Sequence, residues 1–357
     1  MKCSLRAVVG ALLLAGVGSA WAAGNPLSVE LVAQSNKSMP TESVRWQITN
    51  TSNEAVYVLR WETPLDGLSR SIFEVSQNGK PVRYMDKIVH WGHPEAKDFV
   101  KIAPGQTLSA DVNLAASYEM TQAGAYTVNF EGQLSYLMAE DLKSGHVEDL
   151  GGSQLDADAV SIYSLGRSPS YYQQLGTVSG PVAAVKAVSY ASCSSTRQTQ
   201  LASAHTQAKS YASNSLSYLN AGTRGARYTT WFGSYTSSRY ATVKDHYTKI
   251  NNALNNGAVT YDCYCTPSSA SAFAYVYPNQ PYIIHLCNAF WSAANAGTDS
   301  RGGTIIHEMS HFTVNGGTQD YAYGQSAAKS LATSNPTRAI SNADNHEYFA
   351  ENTPFQN

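Results

Sequence analysis

The run HEMSH at residues 307–311 constrains this 357-residue chain more than any other feature. It lies within residues 303–312, which are largely apolar and compatible with a helix. On a helix, residues four apart share one face, so both imidazoles can reach a single metal ion. Glu308 then falls beside that ion, where a carboxylate can take a proton from an attacking water. The alternative is a pair of histidines that face solvent or cap a helix.

Two histidines do not complete a catalytic zinc site, which needs a third protein ligand and leaves one position open for water. In one class of such sites a histidine follows six residues later, but Gly317 stands there. Asp320 is the nearer candidate, because Asn-Gly-Gly at 315–317 can end the helix and turn the chain back. Glu347, on a later helix, is the other candidate.

Residues 317–324 have the sequence GTQDYAYG. Together with the HEMSH run, this segment resembles the aspzincins, the deuterolysin and peptidyl-lysine metalloendopeptidase family, over roughly residues 187–357. The resemblance implies that three residues bind one Zn²⁺: His307, His311 and Asp320. It also implies that Glu308 is the general base and acid and that Tyr323 donates to the oxyanion, as a phenol aimed at a developing alkoxide can. Without the motif, Tyr323 would be one more aromatic residue in a tyrosine-rich segment.

Asp344 and Glu347 stand three residues apart and are therefore adjacent on a helical face. One interpretation is structural, since an Asp followed three residues later by a Glu is a capping pattern. The resemblance implies another, because lysine-specific members carry an Asp and a Glu at matching distances beyond the zinc-binding Asp. Two carboxylates can hold a lysine ammonium once water is excluded. We therefore expect cleavage N-terminal to lysine in protein or peptide substrates.

The first residues are typical of an export signal. A positive start at Lys2 and Arg6 precedes an apolar core at residues 7–17, and Ala-Trp-Ala at 20–22 is a small-x-small cleavage site. We expect a signal peptide at 1–22 and a secreted product. The apolar core is too short to span a bilayer, and no other segment approaches eighteen apolar residues, so no membrane span is expected.

Cys3 leaves with the signal, and four cysteines remain in a protein expected to meet an oxidising compartment: Cys193, Cys263, Cys265 and Cys287. Of the three possible connectivities, a bridge between Cys263 and Cys265 is disfavoured sterically. The resemblance suggests Cys193 with Cys263 and Cys265 with Cys287. A metal site built on these cysteines is the weaker alternative, because no second Cys or His cluster accompanies them.

Net charge is −2, with 11 Lys and Arg against 8 Asp and Glu from Lys186 onward and an acidic excess before it. Opposite signs in the two halves are compatible with docking of one half on the other. No basic cluster or nucleic-acid module is present, so no nucleic-acid partner is expected.

The first half has the pattern of strands. Apolar and polar residues alternate around Trp46, and Asn78-Gly79 is a hairpin signal. We expect an antiparallel β-sandwich over 24–140 and a linker over 141–185. His90, His93 and His146 have no ligand spacing and are taken as ordinary surface or core residues.

From residue 186 the pattern is mainly helical. Helices are expected at 196–219, 239–254, 325–334 and 336–352, besides the HEMSH helix, with a hairpin over 272–286. The predicted fold class is α+β, a β-sandwich followed by a mainly helical zincin-type catalytic domain with a small hairpin.

The catalytic motifs all lie in the second half of the chain, so the first half must have a different function. We expect residues 23–185 to be a pro-domain that blocks the cleft of the catalytic domain, 186–357, as an intramolecular inhibitor. The lysine preference predicts self-cleavage between Val185 and Lys186. The competing interpretation is a permanent binding module. Nothing in the sequence requires assembly, so a monomer is expected.

Two alternatives to this assignment remain. In one, Glu347 is the third zinc ligand and specificity is broader. In the other, the chain is a secreted β-sandwich binding protein with a structural metal. Structural zinc sites are usually closed by four ligands and rich in Cys, whereas this one offers three hard ligands and an open position.

Overall fold

A computed structural model describes residues 25–34, 38, 41–144, 152–155, 157–176 and 187–357. Residues 25–176 are called the N-terminal part below, and residues 187–357 the C-terminal part. The expected signal peptide, His146 and the bond between Val185 and Lys186 lie outside the described residues.

The described N-terminal part consists mainly of strands. They are β1 (Leu27–Ala33), β2 (Ser43–Asn50), β3 (Val56–Leu59), β4 (Phe73–Gln77), β5 (Lys80–Pro81), β6 (Ile88–His90), β7 (Phe99–Ile102), β8 (Thr107–Asn113), β9 (Gly124–Phe130), β10 (Gln133–Met138), β11 (Gly152–Gln154) and β12 (Val160–Ser164). The short helices are α1 (Leu114–Ser117), α2 (Ala139–Ser144) and α3 (Pro169–Gln174).

Within the described residues, these strands form antiparallel sheets with orders β1-β2-β8, β11-β10-β3-β7 and β12-β9-β4-β5. Alternate residues of β2 are buried, and Trp46 and Ile48 enter a core shared with strands of the other sheets. This alternation buries one apolar face of a strand. The predicted hairpin is present between β4 and β5, where Asn78 and Gly79 adopt φ of 53° and 73°.

The C-terminal part combines helices with short strands. The strands are β13 (Ser189–Ala191), β14 (Thr260–Asp262), β15 (Ala274–Val276) and β16 (Ile283–Leu286). The helices are α4 (Ser195–Asn220), α5 (Ala226–Phe232), α6 (Ser237–Asn256), α7 (Asn288–Ser292), α8 (Arg301–His311), α9 (Gly324–Ser334), α10 (Pro336–Ala339) and α11 (Ala343–Glu351).

A mixed sheet with strand order β13-β14-β16-β15-β6 crosses the boundary between the two parts. β14 is parallel to β13 and β16, whereas β15 is antiparallel to β16 and to β6. The β15–β16 hairpin agrees with the expectation from sequence. β6 was not predicted, and its membership in this sheet brings a strand of the N-terminal part against the C-terminal part.

Helices α4, α6, α8 and α11 pack around one apolar core. Disulfides Cys193–Cys263 and Cys265–Cys287 fasten the strands beside it, which confirms the suggested pairing. Chain-entropy arguments give each bridge about 3–4 kcal/mol of stabilisation.

The single helix expected at 336–352 is wrong, because α10 and α11 are separate helices. Residues between them leave the helical path, and Asn342 pairs with Gln319 in an isolated bridge. The Asn342 side chain also accepts from the backbone N–H groups of Tyr321 and Ala322 at 2.7 and 3.1 Å. These contacts connect the start of α11 to the loop that follows α8.

The mixture of helix and sheet is consistent with the predicted α+β class. The β-sandwich arrangement itself stays a prediction. None of the described helices is long and apolar enough to cross a membrane.

Candidate active site

Helix α8 carries the HEMSH run in the interior of the C-terminal part. Ser300 caps the helix, its side chain accepting from the backbone N–H of Gly303, and residues 302–311 are all buried. His307 and His311 lie one turn apart, as the four-residue spacing predicts. The two imidazoles therefore face the same point.

The chain turns back immediately after α8. Asn315 donates to the carbonyl of Met309 at 2.8 Å, and Gly317 adopts a φ of 60°, which favours glycine. This turn places Oδ1 of Asp320 3.2 Å from Nε2 of His307 and 3.4 Å from Nε2 of His311. The structure thus brings together the three residues that the resemblance implied as ligands.

The donor atoms of this cluster fit a metal ion. His307 Nε2, His311 Nε2 and Asp320 Oδ1 are buried and have no hydrogen-bond partner among the described residues. One ligand atom from each residue lies within 4.8 Å of the others. His311 Nδ1 donates to the carbonyl of Thr318 at 2.8 Å, which leaves the Nε2 lone pair for a metal. Two imidazoles and one carboxylate are a donor set that zinc accepts.

The two histidines of the cluster stabilise the negative charge of Asp320. Burial alone would raise the pKa of Asp320, but His311 and His307 outweigh it and hold this pKa below its usual value. Burial raises the pKa of Glu308 to about 8. Both Glu308 carboxylate oxygens are without a hydrogen-bond partner in the described part of the chain. Its nearest ion-pair neighbour in the described part of the chain is His90, whose Nδ1 lies 3.9 Å from Oε1.

The hydroxyl of Tyr323 lies at the edge of the same cluster. It is 3.1 Å from Asp320 Oδ2 and 3.2 Å from the backbone carbonyl of Val89, which belongs to β6. A phenol has one proton, so it can donate to only one of these acceptors at a time. Burial and the nearby Asp320 carboxylate raise the pKa of Tyr323 well above its usual value, so this residue is a donor at neutral pH.

Asp344 and Glu347 project from α11 toward the other nitrogen of His307. Nδ1 of His307 lies 3.0 Å from Asp344 Oδ1 and 3.2 Å from Glu347 Oε2. Both carboxylates are buried, and burial raises the pKa of Glu347 well above its usual value. Because Glu347 does not join His311 and Asp320 in one cluster, the geometry disfavours it as the third ligand.

The capping interpretation of Asp344 is wrong. The N-cap of α11 is Asn342, without a side-chain cap hydrogen bond, and Asp344 lies in the first turn. Its Oδ2 instead accepts from the backbone N–H of Gly324 at 2.6 Å, while Oδ1 has no hydrogen-bond partner among the described residues. Tertiary contacts rather than the helix end therefore position this carboxylate.

His90 is the residue that sequence reasoning missed. We treated it as an ordinary residue, but it stacks on His307 with ring centroids 3.7 Å apart. Its Nε2 lies 3.7 Å from Glu347 Oε2 and 4.0 Å from Asp344 Oδ1. No spacing signal could have found it, because β6 and α8 come from opposite halves of the chain. His93, by contrast, is at the surface, as expected, with a side chain that is 73% exposed.

Comparisons with known proteins agree with this site. The family model described as lysine-specific metallo-endopeptidase matches residues 217–351. The chain is 37% identical to an extracellular protease from Aeromonas hydrophila, over 99% of this chain and 100% of that protein. It is 38% identical to a peptidyl-Lys metalloendopeptidase from Armillaria mellea, over 99% of both chains.

The chain belongs to the lysine-specific metallo-endopeptidase family. The family resemblance in the sequence is thereby confirmed, and this member is an enzyme, a zinc metalloendopeptidase with Zn²⁺ as its cofactor. Among solved structures, a zinc peptidase from Grifola frondosa is 57% identical over 46% of this chain and 100% of that chain, with a TM-score of 0.44.

Gly303 leaves room for the carboxylates beside His307. A Cβ there would lie 2.1 Å from Glu351 Oε1 and 2.8 Å from Glu347 Oε1. We expect Gly303→Ala to destabilise the protein by about 1–3 kcal/mol and to reduce kcat/KM, because both carboxylates must move. Thermal unfolding and steady-state kinetics of the variant measure these two effects.

Gly302→Ala is the comparison variant, since its Cβ would crowd Cγ of Gln207 at 2.7 Å and the Tyr211 ring at 3.1 Å instead of the carboxylates. We expect it to lower stability and to leave kcat/KM unchanged. Equal losses of kcat/KM in the two variants would contradict the proposed crowding of the carboxylates.

Proposed function

We propose that this metalloendopeptidase hydrolyses peptide bonds on the N-terminal side of lysine, and that it is exported as an inactive pro-enzyme. The catalytic assignments are His307, His311 and Asp320 as zinc ligands, Glu308 as general base and acid, and Tyr323 as oxyanion donor. The lysine pocket is assigned to Asp344 and Glu347.

A zinc ion bound by the three ligands supplies a Lewis acid that polarises the scissile carbonyl and lowers the pKa of water. Glu308 takes the proton of the attacking water and later gives it to the amine that leaves. Tyr323 donates its hydroxyl proton in a hydrogen bond to the oxygen that becomes negative.

The lysine assignment rests on two buried carboxylates, Asp344 and Glu347, whose negative charges a bound cation would neutralise. Asp344 Oδ1 and Glu347 Oε2 face the same imidazole nitrogen, Nδ1 of His307, whose single proton can serve only one of them. Glu347 Oε1 has no hydrogen-bond partner among the described residues. The ion-pair neighbours of both carboxylates in the described part of the chain are histidines, His307 and His90. An ammonium group has three donors and one compact charge, which matches these carboxylate oxygens. Relatives named peptidyl-Lys metalloendopeptidase support the same substrate class.

Export and latency are supported by different observations. A relative aligned over 99% of this chain is named an extracellular protease. In addition, three residues of the N-terminal part contact the site. His90 stacks on His307, and the carbonyl of Val89 lies 3.2 Å from the hydroxyl of Tyr323. Nη1 of Arg70 donates to the carbonyl of Asp320 at 2.7 Å. His90 lies against His307 and Phe273 and beside both carboxylates, so it occupies space that the substrate lysine would need. We therefore propose 1–22 as signal, 23–185 as inhibitory pro-domain and 186–357 as catalytic domain, active as a monomer.

The zinc ligands can be separated from the base and the pocket by substitution. We expect Asp320→Ala to lose stoichiometric zinc, while Glu347→Ala retains zinc and changes substrate choice. Glu308→Gln should retain zinc and fold while kcat falls about 10²–10⁴-fold, as for loss of a general base. Metal analysis and kinetics of each variant check this. Retention of zinc by Asp320→Ala together with its loss from Glu347→Ala would reverse the ligand assignment.

Mapping the termini of a digested long peptide tests specificity. We expect new N-termini to be predominantly lysine, and Asp344→Asn to lower kcat/KM for lysine about 10–100-fold, since a charged hydrogen bond contributes about 1.5–3 kcal/mol. Asp245→Asn, at an exposed pair with Lys249, is the matched control and should leave the rate unchanged. New N-termini of mixed identity would rule out the lysine pocket.

Processing is tested at the expected cleavage site. With Lys186→Gln, we expect the mature N-terminus at this position to disappear, because the pocket requires an ammonium group. N-terminal sequencing of the secreted protein measures it. An unchanged mature N-terminus would exclude self-cleavage there, and a secreted species that keeps residues 23–185 would favour the permanent binding module.

A further inference from the structure

β6 lies along the active site as an extended segment. It pairs antiparallel with β15, with Ile88 opposite Val276, Val89 opposite Tyr275 and His90 opposite Ala274. Among the described strands, β15 would be the edge of the sheet if β6 were absent. An exposed edge strand is a surface on which a peptide can add as a further strand. β6 therefore occupies a place where an extended substrate backbone could bind.

The backbone carbonyl of Val89 contacts Tyr323, the residue proposed to donate to the oxyanion. It accepts from Tyr323 at 3.2 Å, and the same hydroxyl reaches Asp320 Oδ2 at 3.1 Å. A scissile carbonyl must meet this donor and lie beside the ligand cluster. The Val89 carbonyl meets this donor directly, and the donor in turn contacts Asp320 of the cluster.

The next side chain along the strand enters the carboxylate pocket. His90 stacks on His307, and its Nε2 faces Glu347 and Asp344 at 3.7 and 4.0 Å. Its Nδ1 lies 3.9 Å from Oε1 of Glu308. Phe273 lies on its other side, with ring centroids 5.0 Å apart. The residue after the Val89 carbonyl is thus in the position proposed for the substrate lysine.

We propose that the Val89–His90 peptide bond is held in the register of a scissile bond, so that the N-terminal part inhibits the enzyme as a pseudo-substrate. This rests on the proposed lysine pocket. Val89 takes the position of the residue before the cut, and His90 that of the residue after it. In the same register, a bound substrate would pair with β15 as an added strand. Its residue before the cut would lie opposite Tyr275, and its lysine would lie opposite Ala274.

The identity of residue 90 explains why the bond would persist. Imidazole has no aliphatic stem and cannot place an ammonium group between the two carboxylates. The nearby Lys87 cannot substitute, because its ammonium is directed to Ser268 and Ser269 at 3.4 and 3.2 Å.

The strand is also anchored on both sides of this bond. The N–H of Val89 donates to the carbonyl of Ser69 at 2.9 Å, and the carbonyl of His90 accepts from the N–H of Phe273 at 2.8 Å. These bonds fix the register of the peptide, since a shift by one residue would turn His90 out of the pocket.

The test converts the pseudo-substrate into a substrate. The full-length chain with His90→Lys is purified with a chelator, then given Zn²⁺ and followed by intact mass. Water adds to the Val89 carbonyl, the C–N bond breaks, and the amine of residue 90 receives a proton. We expect a new fragment beginning at residue 90, formed at a rate independent of protein concentration, and none when Glu308→Gln is added.

His93→Lys is the matched control, with the same change three residues along at an exposed position. We expect cleavage before residue 90 to be at least tenfold faster than cleavage before residue 93 in the control. An intact bond before residue 90, or equal rates in the two variants, would overturn the register.

A second measurement tests the proposal even if the His90→Lys variant does not fold. In zinc-loaded full-length chain carrying Glu308→Gln, His90→Gly should raise the affinity for a fluorescent lysine-containing peptide at least tenfold, and His93→Gly should not. Equal affinities in these two chains would also overturn the proposal.

The processed enzyme with the wild-type sequence is assayed on the same peptide in parallel. If it cuts before lysine while His90→Lys stays intact, the register alone is wrong. If it does not cut before lysine, the proposed function fails and the pseudo-substrate assignment fails with it.

Discussion

The rest of the structure depends on a cluster of three buried donor atoms that lie within 4.8 Å of one another. They are Nε2 of His307, Nε2 of His311 and Oδ1 of Asp320. A buried polar atom without a partner costs about 1–3 kcal/mol, so such a cluster persists only where packing enforces it or a ligand satisfies it. Both apply here. Residues 302–311 of helix α8 are buried, the turn at Gly317 returns the chain, and a zinc ion would satisfy all three donors at once.

The two nitrogens of His307 divide the site into two regions of different chemistry. Nε2 faces Asp320 and the metal ligands, whereas Nδ1 faces Asp344 and Glu347 on α11. The carboxylates favour a proton on Nδ1, which fixes the ring for metal binding through Nε2. In the proposed function, the same two carboxylates orient His307 and bind the substrate lysine, so the proposal couples specificity to the metal site.

The N-terminal part completes both regions from outside. β6 adds to the sheet beside β15, its Val89 carbonyl meets Tyr323, and His90 fills the space between Phe273 and His307. Arg70 adds a contact to the backbone of Asp320. In the proposed inhibition, the inserted strand makes the contacts that a substrate would make.

The sequence by itself determined the features that depend on local pattern. The HEMSH helix, the Asn78-Gly79 turn and the approach of Asp320 follow from helical spacing, glycine conformation and a short return loop. Tertiary structure decided the rest. It broke the last helix near Asn342, aimed Asp344 into the site, and brought His90 from the other half of the chain. Contacts between strands and helices distant in sequence depend on packing, which leaves no periodic trace in the residues involved.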